Sequence, residues 1–252
     1  MTFRLYNAPQ STCSQRVRFV LNAKGLPFEE VRLNLLQGDQ LKPDYLKLNP
    51  NGVVPTLDHD GQIVTDSTVI TEYLDEIEPA KTFTPSSPVA RAHMRALMHF
   101  IDEMPGAAVR VPTFNLAFLP SYQKMSREDF VAMAESKPLR RELMLGMGQA
   151  GFPQSEMEAA LARLRRSYER MESELEKSGG PWLLGSQITL ADVAVMPALV
   201  RMQDLGLASW QDLPRVAAWF DNIRAEPAFA PTYYHGSLLS ERFPHLRERK
   251  ST

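Results

Sequence analysis

Only one of the 252 residues is cysteine, at position 13, so no disulfide can form within the chain and a reducing compartment suits it. Charge of one sign is lacking too. Lys and Arg number 28 against 30 Asp and Glu, and a net −2 gives no electrostatic reason to expect nucleic acid or an anionic membrane as partner. Long apolar runs are missing: the longest are short or interrupted by proline, as between Val111 and Pro120, so nothing is expected to span a bilayer. Met1-Thr2-Phe3-Arg4 leads straight into a strand-like stretch without an apolar signal segment, and the expectation is a cytoplasmic protein. The histidines at 59, 93, 99, 235 and 245 lack the spacing of a metal site, and no metal is expected. No internal repeat or low-complexity tract occurs. What is there is an ordinary globular composition, 44% hydrophobic and 23% charged, long enough for two compact units.

Residues 1–80 alternate between strand and helix signals. Phe3-Arg4-Leu5-Tyr6 is a short strand candidate. Over residues 14–24, Val17, Val20 and Leu21 share one helical face, and Gly25 with Pro27 ends the helix. Residues 28–35 set Val31, Leu33 and Leu35 against polar neighbours, which predicts a strand parallel to the first. Residues 54–58 and 62–65 predict a hairpin about Asp60-Gly61, and residues 67–77 a helix with Val69, Ile70, Tyr73 and Leu74 on its apolar side. The order βαβ, then ββα, is that of a thioredoxin-like α/β domain.

Residues 81–88 read as a linker, and residues 89–252 as an all-α domain without a convincing strand. Ser87-Pro88 starts a helix carrying Met94, Leu97, Met98 and Ile101 at helical spacing. Ser126-Arg127-Glu128-Asp129 and Ser155-Glu156-Met157-Glu158 look like capping boxes. The second opens a long helix with Met157, Leu161, Leu164, Tyr168, Met171 and Leu175 on one stripe, stopped at Gly179-Gly180. Two more helices are expected near 190–205 and 214–225. Arg163, Arg165 and Arg166 read as a solvated face and residues 247–250 as a disordered tail. Gly146-Met147-Gly148-Gln149-Ala150-Gly151 spells a dinucleotide fingerprint, but a helical stretch precedes it instead of a strand, so it is set aside.

Four features of the first half point toward one ligand. Ser11-Thr12-Cys13-Ser14 stands where a strand turns into a helix, and unpaired N–H groups at a helix start favour an anion such as a thiolate. Taken alone, Ser11 or Ser14 could simply be a cap. Val54-Pro55 precedes a strand; if its peptide is cis, the Val54 N–H and C=O face outward and can bind a peptide as one more strand, whereas a trans proline would only begin the strand. Thr65-Asp66-Ser67 offers a cap at Ser67, N–H groups for a carboxylate and a countercharge for an ammonium. Gln40 and Lys42 lie in a loop where they could meet a second carboxylate or merely be solvated. An amino-acid end, a peptide middle, a second carboxylate and a thiol describe glutathione.

The chain resembles the glutathione S-transferases over essentially its whole length. Ser11-Thr12-Cys13-Ser14-Gln15-Arg16-Val17-Arg18 is similar to the active-site segment of the zeta class. Asn49-Pro50-Asn51-Gly52-Val53-Val54-Pro55-Thr56-Leu57 with Asp66-Ser67 is similar to the superfamily's glutathione site, whose proline is cis. Gly185-Ser186-Gln187-Ile188-Thr189-Leu190-Ala191-Asp192 resembles its helical-domain capping motif. Within the superfamily, Asp60–Ile70, Arg91-Ala92-His93-Met94-Arg95, Gln123-Lys124-Met125-Ser126 and Gly151-Phe152-Pro153-Gln154 resemble bacterial β-aryl etherases, where Ser14 and Gln40 match a serine and a glutamine. Cys13 departs from that branch and is similar instead to the cysteine of reductive dehalogenases.

The resemblance implies glutathione as co-substrate, a homodimer, Ser14, Ser11 and Cys13 as catalytic residues, and Gln40, Lys42, Val54, Pro55, Asp66 and Ser67 as glutathione contacts. It implies attack by the glutathione thiol on a small aromatic electrophile. Two other readings stay open: covalent chemistry at Cys13, and a non-catalytic binding protein. Residues 104–118, apolar and aromatic with two prolines, could line the second-substrate pocket or simply pack a core.

Overall fold

The computed structural model describes residues 2–248. Strand β1 (Phe3–Asn7) buries Phe3, Leu5 and Asn7 in alternation, as the period of two demands. It lies parallel to β2 (Phe28–Arg32) and antiparallel to β3 (Thr56–His59), with Leu5 opposite Glu30 on one side and Leu57 on the other. β3 turns through Asp60-Gly61 into β4 (Gln62–Thr65), completing a sheet of order β2-β1-β3-β4. Helices α1 (Thr12–Lys24) and α3 (Ser67–Ile77) pack against each other, while α2 (Pro43–Leu48) sets Tyr45 in a separate cluster with Ala8, Val54, Leu33 and Leu35. This is a thioredoxin-like domain.

Some boundaries depart from expectation. β2 stops at Arg32, so Leu33 and Leu35 leave the sheet and pack near Tyr45 instead. β3 begins at Thr56, after Val54-Pro55. Val69 is 54% exposed, because the buried stripe of α3 runs through Ile70, Thr71 and Leu74. The stretch after α3 is tied down. Lys24 pairs with Asp75 at 2.9 Å and donates to the carbonyls of Glu78 and Lys81, each at 2.6 Å, and Phe83 is buried.

The second half is helical. α4 (Pro88–Glu103) starts at Ser87 and buries Met94, Leu97, Met98 and Ile101. Prolines 105, 112 and 120 then break the chain into short pieces: α5 (Pro105–Ala108), α6 (Arg110–Thr113), a π-helical turn at Phe114–Phe118 and α7 (Leu119–Tyr122). α8 (Arg127–Glu135) starts at Ser126, whose Oγ accepts the Asp129 N–H at 3.0 Å and donates to the Asp129 carboxylate at 2.7 Å. α9 (Arg141–Met147) and α10 (Gln154–Ser178) follow, the latter closed by Gly179 at φ +66°. α10 is capped by Pro153 without a side-chain bond, so Ser155 lies within its first turn and makes no capping box. Arg165 is ion-paired with Glu169 and Asp212 at 2.9 and 2.6 Å.

α11 (Leu190–Asp204) is buried almost throughout and packs on both α1 and α4. Its start is a capping box of Thr189 and Asp192. The fully buried Asp192 carboxylate accepts bonds from Leu183 N, Thr189 N, Thr189 Oγ1 and Trp219 Nε1, all at 2.8–2.9 Å. α12 (Pro214–Ala225), α13 (Phe229–Thr232), α14 (Leu239–Arg242) and α15 (His245–Glu248) complete the chain. Arg247 and Glu248 thus belong to a helix, whereas 249 and 250 of the expected tail lie outside the described residues. The glycines at 146, 148 and 151 follow no strand. Gly151, at φ +84°, is needed because a Cβ would come within 2.6 Å of Leu119 Cδ2. Among the described residues no helix is long and apolar enough to cross a membrane, and no cluster could hold a metal.

Candidate active site

α1 begins two residues earlier than the apolar pattern predicts, and this shift decides which serine faces the cavity. Ser11 is the cap: its Oγ accepts the Ser14 N–H at 3.2 Å. The first turn carries no acid, so the positive end of a 13-residue helix is uncompensated. The turn leading in is held from the helical half. Arg201 of α11 donates to the carbonyl of Gln10 and, at 3.2 Å, to Thr113 Oγ1. Gln10 in turn donates to the Gly236 carbonyl at 2.6 Å. Burial pushes the Arg201 guanidinium down to about 10.

Ser11, Thr12 and Cys13 border a cavity of about 230 Å³ between the two halves. On the first-half side it is lined by Leu35, Gln40, Gly52 and Val54, whose peptide bond to Pro55 is cis. Gln40 is 5% exposed; its amide donates only a long bond to the Leu35 carbonyl at 3.5 Å, and its buried Oε1 has no partner. An amide in that state, beside the open edge at Val54, fits a peptide ligand that both donates and accepts.

The opposite wall comes from the helical half: Val109, Arg110, Phe114, Phe118, Tyr122 and Met144, with Leu239, Arg242 and Phe243 from the last turns. Part of the 104–118 segment thus lines the cavity, and part of it, including Ala108 and Ala117, packs the core. Residues 136–140 cross from this wall toward the first half. Gly52, at φ +60°, permits that approach, since a Cβ there would lie 2.9 Å from Leu41 Cδ2 and 3.2 Å from Pro138 Cδ.

Of the expected site residues, Ser14, Lys42, Pro55, Asp66 and Ser67 are all absent from the cavity wall. Ser14 is 0% exposed, is absent from the cavity wall, and its hydroxyl has no partner, because it falls on the inner side of the first turn. Lys42 pairs with Asp39 at 2.7 Å, its side chain is 69% exposed, and it does not reach the cavity. Ser67 is the first helical residue of α3 and not its cap. Asp66, at φ +71°, is the cap, and its Oδ1 accepts the Thr68 and Val69 N–H groups at 2.9 and 3.2 Å. Asp66 is exposed and Ser67 buried, both outside the cavity wall. α3's start is nonetheless linked to α1: Arg16 bonds Asp102 of α4 at 2.5 Å, and Thr68 donates to the same carboxylate at 2.8 Å. Arg110 falls in the 104–118 segment already expected there, whereas sequence reading missed Lys137, Arg140, Leu239, Arg242 and Phe243, all on the wall and none in a motif.

Comparison with known proteins bears on this geometry. Residues 5–82 match the glutathione S-transferase N-terminal domain, and residues 154–222 the C-terminal domain. Protein LigF of Sphingobium sp. (strain NBRC 103272 / SYK-6) is 31% identical over 237 residues, 90% of this chain and 91% of that protein. The crystal structure of Beta-etherase LigF from that strain superposes with a TM-score of 0.82 at 30% identity, covering 92% of this chain and 99% of the other. Maleylacetoacetate isomerase maiA of Aspergillus fumigatus is 31% identical over 200 residues, 77% of this chain and 74% of that protein. A glutathione transferase homologue from sulfitobacter with bound glutathione shares the fold, with a TM-score of 0.65 at 22% identity over 90% of this chain and 95% of that one. A thioredoxin-like domain and a helical domain enclose the cavity, and both matched regions fall within them. The chain belongs to the glutathione S-transferase family and is a glutathione-dependent enzyme.

Proposed function

We propose that the protein activates the thiol of glutathione for attack on a small aromatic electrophile, with β-aryl ether cleavage as its most specific form. The observation that carries this reading is the Ser11 hydroxyl. Its oxygen already accepts the Ser14 N–H, so its proton is left for a ligand, at the positive end of α1 and on the cavity wall. A thiolate held there gains a charge-assisted hydrogen bond of about 1.5–3 kcal/mol, roughly one to two units of thiol pKa. Gln40 and the backbone at Val54 and Pro55 take the peptide middle, while Asp66 and Ser67 take the amino-acid end. In Asp66 both helix bonds go to Oδ1, leaving Oδ2 for an ammonium group. Glutathione supplies the nucleophile: a C–S bond forms at the carbon beside a carbonyl, the bond from that same carbon to the aryloxy oxygen breaks, and the phenolate departs with the electron pair. The protein's own work is holding and orienting.

The etherase form is supported by the likeness to LigF over nine-tenths of the chain. A second reading rests on Cys13, which borders the cavity while Ser14 does not. It predicts a mixed disulfide with glutathione and turnover of chlorinated hydroquinones. Incubation with glutathione and an aryl-ether ketone, a chlorinated hydroquinone or an activated aryl chloride separates the two. Phenolate release from the ether that survives Cys13→Ser is expected; turnover of the hydroquinone alone, lost in that variant, overturns it. A homodimer is part of the same reading and is checked by sedimentation.

A further inference from the structure

The cavity wall carries five cations, Arg110, Lys137, Arg140, Arg201 and Arg242, and no carboxylate. Two of them are occupied. Arg201 holds the Gln10 carbonyl and Thr113, and Arg242 donates to Asn34 Oδ1 at 2.8 Å and Gln10 Oε1 at 3.4 Å. The side chains of Arg110, Lys137 and Arg140 have neither ion pair nor hydrogen bond among the described residues. The contrast with the neighbouring surface is direct: Arg141, one residue on, pairs with Glu142 at 2.5 Å and Glu135 at 3.6 Å. Three of the five cavity-facing cations are thus bare, while Arg141 beside them is matched.

All three come from the helical half, next to Val109, Phe114, Phe118, Tyr122 and Met144, and they are partly withdrawn from water. Burial lowers the affinity of Lys137 and Arg140 for their protons, and Arg110 adds a like charge that lowers Arg140 further. Half-buried cations that repel one another across an apolar wall are costly unless an anion arrives. Of glutathione's two carboxylates, the reading above seats the amino-acid one at the start of α3, in the first half; whether the other meets these cations is decided by the double variant below. The second half faces the other substrate.

Resting on that reading, we infer that the electrophile is itself an anion: an aromatic molecule bearing a carboxylate, which Arg110, Lys137 and Arg140 bind while its ring lies on Phe114, Phe118 and Met144. A planar carboxylate suits the arginine fork, and Lys137 adds a point charge. The pocket thereby selects acids over the corresponding esters and amides by leaving the cations unpaired when the acid is missing.

Glutathione conjugates test this without turnover. S-(4-carboxybenzyl)glutathione and its 3-carboxy isomer carry the acid in the electrophile position; S-benzylglutathione and the methyl ester of the first do not. Calorimetry on the full chain is expected to show at least one acid conjugate binding tenfold or more tightly than both neutral ones, with the advantage shrinking as salt rises. In Lys137→Gln/Arg140→Gln, and separately in Arg110→Gln, the ratio of acid to neutral affinity falls toward one. Equal affinities in the native protein overturn the inference while leaving glutathione binding intact. So does a double variant that weakens glutathione itself as much as the acid conjugate, since the cations would then serve the tripeptide. If no conjugate binds, the glutathione reading falls and takes this inference with it.

Discussion

Helices α1 and α3 both begin beside expected glutathione contacts, yet they are capped by opposite means. At α1 a neutral hydroxyl accepts one N–H and keeps a proton to donate, so the helix start stays positive toward the cavity. At α3 a carboxylate accepts two N–H groups with one oxygen and itself supplies the negative charge that a helix start attracts. The first start is suited to receive an anion, the second a cation beside it. α11 is the limiting case. There the Asp192 carboxylate is fully buried, all four of its bonds are internal, and no ligand is served.

That limiting case gives the largest expected effect. Asp192→Ala strands Trp219 Nε1 and the N–H groups of Leu183 and Thr189 in the interior, at about 3–5 kcal/mol in total, a large part of ordinary domain stability. Denaturant unfolding checks it; a loss under 1 kcal/mol would reduce this helix start to an ordinary surface cap. Ser11→Ala comes next, with kcat/KM down roughly 10- to 100-fold and the bound thiol's pKa up about one to two units by ultraviolet titration. Asp66→Asn keeps the cap but removes the charge, so the melting temperature holds while the KM for glutathione rises up to about fivefold. Ser14→Ala is the smallest. Deleting a buried, unpartnered hydroxyl changes activity by less than about twofold and leaves stability equal or up to about 1 kcal/mol higher. Should Ser14→Ala abolish thiol activation while Ser11→Ala spares it, the contrast between the helix starts is wrong.

Legibility in the sequence tracked the range of the interactions. The hairpin at Asp60-Gly61 and the segments of β1, α1, β2, β3, β4 and α3 could be read directly, and the box at Thr189 and Asp192 through its motif, but the short α2 between β2 and β3 was not foreseen. Cap register was harder. The hydrophobic pattern of α1 is silent about Thr12 and Cys13, so it starts the helix near Ser14, whereas Ser11 caps it. At α3 the cap moves to Asp66, whose left-handed φ no local pattern announced. Lys42 was placed by its neighbourhood, but a partner three residues earlier holds it in solvent. Of the far wall only the 104–118 segment was legible: Arg140, Arg242 and Phe243 join it only through tertiary packing, and no spacing rule links positions so far apart.

The late segment has a consequence for synthesis. Arg18 lies inside the first half, 0% exposed, and its guanidinium donates to the Thr232 carbonyl at 2.9 and 3.2 Å; Gln15 reaches the Ser237 carbonyl at 3.1 Å. A nascent chain that has completed its sheet therefore has Asn7 and Pro9 as acceptors for Arg18, and lacks those at 232 and 237 until some 150 further residues have left the ribosome. Helix α1 is among the first elements made and among the last to find its full set of partners.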